Sequence, residues 1–229
     1  MENTALREIV LDTETTGLDP ASGHKIVEIG CIELINHMPT ENNFHQYINP
    51  ERDMPEEAFA VHGLSEEFLA KQPVFAEIAE KFIEYIGDAP LIIHNARFDM
   101  GYLNAELAAC GLAELDMARS LDTVTMARRK FPGARVSLDA LCQKFEIDNS
   151  DRTLHGALLD ARLLSDVYLE LIGGRQPEMA LKSDTKDDSE MVDVRNFREP
   201  RPHAATPEEL ETHAEFLKTI KDPLWNAKG

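Results

Sequence analysis

Residues 9–20 read IVLDTETTGLDP, an apolar run, Ile9-Val10-Leu11, that passes directly into two acids, Asp12 and Glu14. The β-branched and leucine side chains predict a buried strand over residues 6–12 that ends in Asp12. Side chains alternate along a strand, so Asp12 and Glu14 project from the same face, and two like charges that close repel unless something positive lies between them. A solvated strand end would tolerate the same pair, so Asp-x-Glu alone leaves both readings open.

Working outward, KIVEIGCIELI at 25–35 and residues 44–48 continue as strands across a short polar connection, which predicts an antiparallel meander. Phe75, Ile78, Ala79, Phe82, Ile83 and Ile86 then recur at helical spacing, and Gly87 closes the run. A short apolar strand follows at 90–94, a helix at 98–109 stopped by Gly111, a short strand at 118–121, and helices at 123–130, 137–145 with Ser137 as N-cap, and about 155–171. Strands first in a meander, then alternating with helices, give an α/β class: a mixed central β-sheet flanked by helices.

The pattern predicts a domain over 1–174 closed by Gly173-Gly174, a short peptide at 175–181, a polar flexible linker at 182–205, and a C-terminal segment at 206–229. In that segment Thr206-Pro207-Glu208-Glu209 opens a helix to about Ile220. Its apolar residues, among them Leu210, Phe216, Leu224 and Trp225, suit a docking element better than a domain.

No apolar run approaches the length of a membrane span, and the start MENTALREIV lacks the pattern of a signal peptide, so the expectation is a cytoplasmic protein without a membrane partner. Cys31, Cys110 and Cys142 are too few and scattered for a thiolate zinc site and are expected as buried reduced thiols. A net charge of -19 argues against a chain that grips nucleic acid unaided. Such a chain avoids polyanions, receives them from a partner, or offsets its acidity with bound cations.

Further acids stand where elements begin. Asp99 follows the strand LIIH within HNARFD at 94–99, and Asp160 interrupts an apolar helical face within HGALLD at 155–160. Asp12, Glu14, Asp99 and Asp160, with His155 near the last, make a hard-oxygen cage suited to Mg²⁺ or Mn²⁺.

The ordered motifs DTETTG at 12–17, HNARFD and HGALLDA resemble the three exonuclease motifs of the DEDD superfamily of 3′→5′ exonucleases, in the branch that uses histidine. With VHGLS at 61–65, FPGARVSLDALC at 131–142 and NSDRTLHGALLDA at 149–161, the chain is more closely similar to the family of epsilon, or proofreading, subunits of bacterial DNA polymerase III. The resemblance implies a ribonuclease H-like exonuclease fold, with two divalent metal ions held by Asp12, Glu14, Asp99 and Asp160. It implies His155 as the base that takes a proton from the attacking water. Glu57 and His62 match positions that touch the terminal nucleotide; Thr15, with Thr16, Gly17 and Leu18, would line its pocket. Phe98 is open to either stacking or core packing.

The expected partners are a DNA 3′ terminus, the polymerase alpha subunit, and the beta sliding clamp through Gln176, Met179 and Leu181. A small theta-like accessory subunit is a further candidate. Two rivals remain on the residues alone: an exoribonuclease of the same fold, separated from a DNA enzyme by how it meets the 2′-hydroxyl, and a non-catalytic adaptor between clamp and polymerase. Four mutually repelling carboxylates serve no purpose in the adaptor.

Overall fold

The central strand, β1 (Arg7–Thr15), is hydrogen-bonded on both sides, and everything else in the fold is arranged about it. The structure, a computed structural model, describes residues 5–150, 152, 154–173 and 204–220. The chain divides into two units, Met1–Met179 and Ala180–Gly229.

In the first unit, β1 pairs antiparallel with β2 (Ile26–Ile35), which pairs antiparallel with β3 (Met38–Tyr47). After α1 (Glu56–His62), α2 (Glu66–Leu69) and α3 (Phe75–Ile86), β4 (Leu91–Ile93) lies parallel to β1 on its other side. α4 (Ala96–Ala109) leads to β5 (Ser120–Asp122), parallel to β4. α5 (Thr123–Lys130), α6 (Leu138–Lys144) and α7 (Ala157–Leu171) complete the unit. The sheet order is β3-β2-β1-β4-β5, the mixed sheet expected.

Strand alternation splits the core in two. Ile9, Leu11, Ile29 and Leu91 join Phe82, Ile86, Met100 and Leu103 of α3 and α4 on one face. Val10, Ile32, Leu34 and Ile92 join Leu141, Ala161, Leu164 and Val167 of α6 and α7 on the other. Asp12 and Glu14 continue the face of Val10, so the acids lie on the α7 side.

Several expected boundaries move. β1 does not end at Asp12: antiparallel pairing runs on through Asp12↔Gly30 and Glu14↔Glu28 to a bulge before Thr15, so both acids lie inside the strand. β3 starts at Met38, because Asn36 (φ 52) and His37 (φ 65) form a two-residue turn with positive φ at both positions, the hairpin geometry that fits strand twist. α1 and α2, absent from the sequence reading, are short and mostly exposed, so no apolar periodicity marks them. The expected strand at 118–121 begins as a 3₁₀ turn over Met117–Arg119, and α4 begins two residues before Phe98. Cys31 and Cys142 are buried as expected, whereas Cys110 is only half-buried.

In the second unit, α8 (Pro207–Thr219) has a reciprocal capping box, with Glu209 N–H donating to Thr206 Oγ1 and Thr206 N–H donating to Glu209 Oε2. The expected clamp peptide at 175–181, most of the linker, and Leu224 and Trp225 lie outside the described residues.

Gly30 sets how closely α7 approaches the sheet. A Cβ at this position would sit 2.3 Å from the backbone of Ala157 and Leu158, atoms that cannot swing away. Gly101, within α4, faces open space. Gly30→Ala should therefore lower unfolding free energy by about 1–3 kcal/mol through overpacking. Gly101→Ala should raise it by up to about 1 kcal/mol through helix propensity. Urea denaturation of the two variants, with opposite signs expected, checks this packing.

Candidate active site

Asp12 and Glu14 reach the site from β1, Asp99 from the first turn of α4, and Asp160 from the first turn of α7. At the start of α4 the backbone N–H of Asn95 donates to Asp122 (3.0 Å), so that helix end is capped by an acid outside the cluster. Glu14 is 8% exposed and Asp99 and Asp160 are each 3% exposed. Asp12, Glu14, Asp99, His155 and Asp160 line one cavity of about 250 Å³. The five residues that sequence reading marked, 12, 14, 99, 155 and 160, therefore share a single pocket.

Their arrangement within it is uneven. Ligand atoms of Glu14, His155 and Asp160 lie within 4.8 Å of one another. Asp99 Oδ1 instead accepts hydrogen bonds from Thr13 N–H (3.1 Å) and Thr13 Oγ1 (2.7 Å). Thr13 points to the α4 side of the strand, so the residue between the two acids fastens the third. His155 lies in the loop before α7, not on the helix; its N–H donates to Val61 O (3.0 Å), and its ring is half-exposed.

Crowding shows in the protonation. Burial first, then the charges of Asp99, Glu14 and Asp160, hold the Asp12 carboxyl well above the usual range. Glu14 is pushed up to about 8 by burial, then by Asp160, Glu28 and Asp99. Burial raises Asp99 to about 7 even against the Thr13 hydrogen bonds. Carboxylates buried this way with protein alone resist carrying their full charge at neutral pH. Among the described residues that line the pocket, Arg152 is the one permanent cation, joined to both oxygens of Asp160. An oxygen-rich donor set with one imidazole and no sulfur, short of positive charge, fits a hard divalent cation.

A second cavity of about 640 Å³ shares Thr13, Glu14 and Phe98 with the first and is lined also by Thr15, Leu18 and Glu57. Its floor is backbone held by side chains: Thr15 Oγ1 donates to Gly17 O (2.6 Å) and Tyr102 OH to the same oxygen (2.8 Å). At Gly17 a Cβ would meet the His24 ring at 2.4 Å, so a larger residue there would have to displace that side chain. Phe98 packs on Tyr102 at 5.0 Å between ring centroids, in line with core packing, and also lines both cavities. Leu18 stands 86% exposed at the rim, an apolar surface with no protein cover.

His62 is buried, at the end of α1. Leu64 N–H donates to its Nδ1 (3.0 Å), which places the ring proton on Nε2, and Nε2 is a buried atom without a hydrogen-bond partner. Burial keeps His62 below the ordinary histidine range against the pull of Glu28 and the Thr15 backbone, so the ring is neutral, and its residue lines this cavity. Glu57 is exposed on α1 at the same cavity. Gln176, Met179 and Leu181 lie outside the described residues.

Sequence reading missed Thr13, Asp139 and Arg152, which line the acid pocket. Arg152 stood inside a quoted motif, yet a lone arginine in a loop carries no periodicity, and its role depends on a contact seen only in three dimensions.

The model of the Exonuclease family, RNase_T, matches residues 9–168. The chain belongs to the exonuclease family. Among relatives of this exonuclease chain, the DNA polymerase III subunit epsilon of Rickettsia felis is 52% identical over 224 residues, covering 95% of this chain and 98% of that one. The Escherichia coli subunit of the same name is 43% identical over 247 residues, covering 99% and 100%. Exonuclease X in complex with 5′ overhanging duplex DNA superposes with a TM-score of 0.56 at 25% identity, over 72% of this chain and 90% of that one. The nuclease domain of 3′hExo, a DEDDh family member bound to rAMP, gives 0.64 at 18% identity over 75% and 94%, a likeness of fold. Membership carries divalent metal use, which the donor set accommodates. Among the described residues, no helix is long and apolar enough to cross a membrane.

The raised carboxyls set a pH signature. Asp12, Glu14 and Asp99 hold protons more tightly folded than unfolded, so without metal their contribution favours folding at acid pH and is lost as pH rises to about 8 for Glu14. In EDTA the unfolding free energy from urea titration should fall between pH about 5 and 8, and Glu14→Gln should flatten that fall, reducing its depth by a few kcal/mol at most. Parallel curves for the two proteins would contradict the crowding.

Proposed function

We propose that the chain removes nucleotides one at a time from a DNA 3′ end and proofreads replication as the epsilon subunit of a polymerase III assembly. The observation that carries the catalytic part is the convergence of four carboxylates from three segments beside a half-exposed histidine, at the junction of two cavities.

Asp12, Glu14, Asp99 and Asp160 would hold two divalent cations, Mg²⁺ or Mn²⁺. Such ions polarise the phosphodiester and make a bound water more acidic. The remaining chemistry belongs to the protein. His155, open to the cavity, accepts the proton of the attacking water, the task for which imidazole is the commonest side chain. The larger cavity takes the terminal nucleoside: Phe98 and Leu18 offer apolar surface to the base, His62 and the Gly17 loop line the wall beside the sugar and phosphate, and Glu57 stands at the rim. A frayed end enters more easily than a paired one, because extruding a paired base costs a few kcal/mol, which supplies mismatch preference without base-specific contacts.

The net charge of -19 supports delivery of DNA by partners. The near full-length likeness to epsilon subunits supports the polymerase alpha subunit as one of them. The proposed division is 1–174 for catalysis, 175–181 with Gln176, Met179 and Leu181 for the beta clamp, 182–205 as tether, and 206–229 for the polymerase, with a theta-like subunit optional.

A 3′-labelled single-stranded oligonucleotide with Mg²⁺ tests the reading. Release of nucleoside 5′-monophosphate from DNA in preference to RNA is expected, and Asp12→Ala should reduce it by more than about 100-fold, beyond the loss usual for residues behind a metal ligand. Deleting 182–229 should leave this activity intact and abolish co-purification with the polymerase subunit. Preference for RNA, or an active Asp12→Ala, would overturn the proposal.

A further inference from the structure

Arg152 is tied down more completely than a surface loop residue needs to be. Its Nε and Nη2 donate to Asp160 Oδ1 (2.5 Å) and Oδ2 (2.6 Å), a planar fork on a planar carboxylate. Nη1 donates to Asp139 Oδ1 (2.6 Å), and Nη2 also donates to His155 Nδ1 (2.8 Å). The arginine side chain is 7% exposed and that of Asp160 4%, so this pair is largely withdrawn from water. Burial opposes the charge on Arg152, but the bonds to Asp160 and then Asp139 outweigh it and fix the group as a cation. Its field reaches Asp12 and Glu14, lowering both against the burial and repulsion that raise them.

We infer that Arg152 is a built-in counter-cation of the carboxylate cage, and that loading a divalent metal expels its guanidinium from Asp160. The latch presupposes the cation cage proposed above. Each Asp160 oxygen keeps a second lone pair, but a dication placed there would share one carboxylate with a guanidinium at contact distance. At an effective dielectric of 20, charges 4 Å apart interact by about 4 kcal/mol per unit charge product, so the two occupants exclude one another.

The same hydrogen bond constrains the base. Because Arg152 Nη2 donates to His155 Nδ1, that nitrogen must be the acceptor and the ring proton sits on Nε2. The latched imidazole therefore offers no free lone pair to a water. Once the guanidinium leaves, Nδ1, 3.3 Å from Asp160 Oδ2, can carry the proton and donate to that oxygen, which opens the Nε2 lone pair. Arg152 is thus a positioning residue that couples metal loading to the competence of His155. A merely structural arginine, anchoring the loop that carries His155, would act in the opposite direction: its loss would loosen the site and weaken metal binding.

Calorimetric titration of the full chain with Mn²⁺ separates the two. Wild type, Arg152→Gln and Arg152→Lys are compared, with the melting temperature of each in EDTA and the imidazole ¹⁵N spectrum of His155 with and without Mg²⁺. Arg152→Gln should bind Mn²⁺ at least about ten-fold tighter, a factor well inside the repulsion relieved. It should also melt lower in EDTA, and Arg152→Lys should fall between it and wild type. Wild-type His155 should show Nε2–H without metal and lose that state when Mg²⁺ is added. Should Arg152→Gln fail to fold, tighter binding by Arg152→Lys than by wild type supports the latch and equal or weaker binding overturns it. Wild type that binds no divalent ion would overturn the cage, and the latch with it. Wild type that binds metal while Arg152→Gln binds no tighter would overturn the latch alone.

Discussion

Mutual repulsion among Asp12, Glu14, Asp99 and Asp160 is the constraint on which the rest of the structure depends. Three of these acids are held with raised proton affinity, all first by burial, then Asp12 and Glu14 by the other acids of the cluster and Asp99 by Asp122. A fold that only needed stability would replace such a group by apolar side chains of similar volume. Two contacts make the cluster tolerable: the Thr13 hydrogen bonds to Asp99 and the Arg152 fork on Asp160.

The scaffold's contribution is precision of approach. β1 is central, so Asp12 and Glu14 sit on the strand least able to move. Parallel pairing of β1 with β4 brings the start of α4, and with it Asp99, to the same end of the sheet, where α/β folds commonly build sites. α7 comes from the other face, and Gly30, opposite Asp12 in the ladder, gives its first turn room to lie against the sheet. The acid that closes the cage is placed by a residue with no side chain.

Much of this was legible in the sequence because the informative residues violate their surroundings. Asp12 at the end of an apolar run and Asp160 within an apolar helical face stand out against β-branched and leucine neighbours, and Asp99 stands just after a buried strand. The helix with strong apolar periodicity, α3, was readable to the residue, and so was the polar α5. β3 was only half readable because its first half is polar and exposed, being an edge strand whose pattern carries no burial signal. α1 was invisible for a similar reason, so the burial of His62 at its C-terminal end had no sequence signal. Arg152 and Gly30 could not be read at all: each acts through a spatial neighbour, one by charge and one by absence of a Cβ.

The central claim is that the carboxylates are a site for cations that the protein alone does not supply. Anomalous diffraction from crystals of the full chain grown with Mn²⁺ tests it most directly. Two manganese peaks are expected, bounded by Asp12, Glu14, Asp99 and Asp160, with the Arg152 guanidinium withdrawn from Asp160. Absence of manganese from the cluster, with Arg152 still forked onto Asp160, would contradict the account.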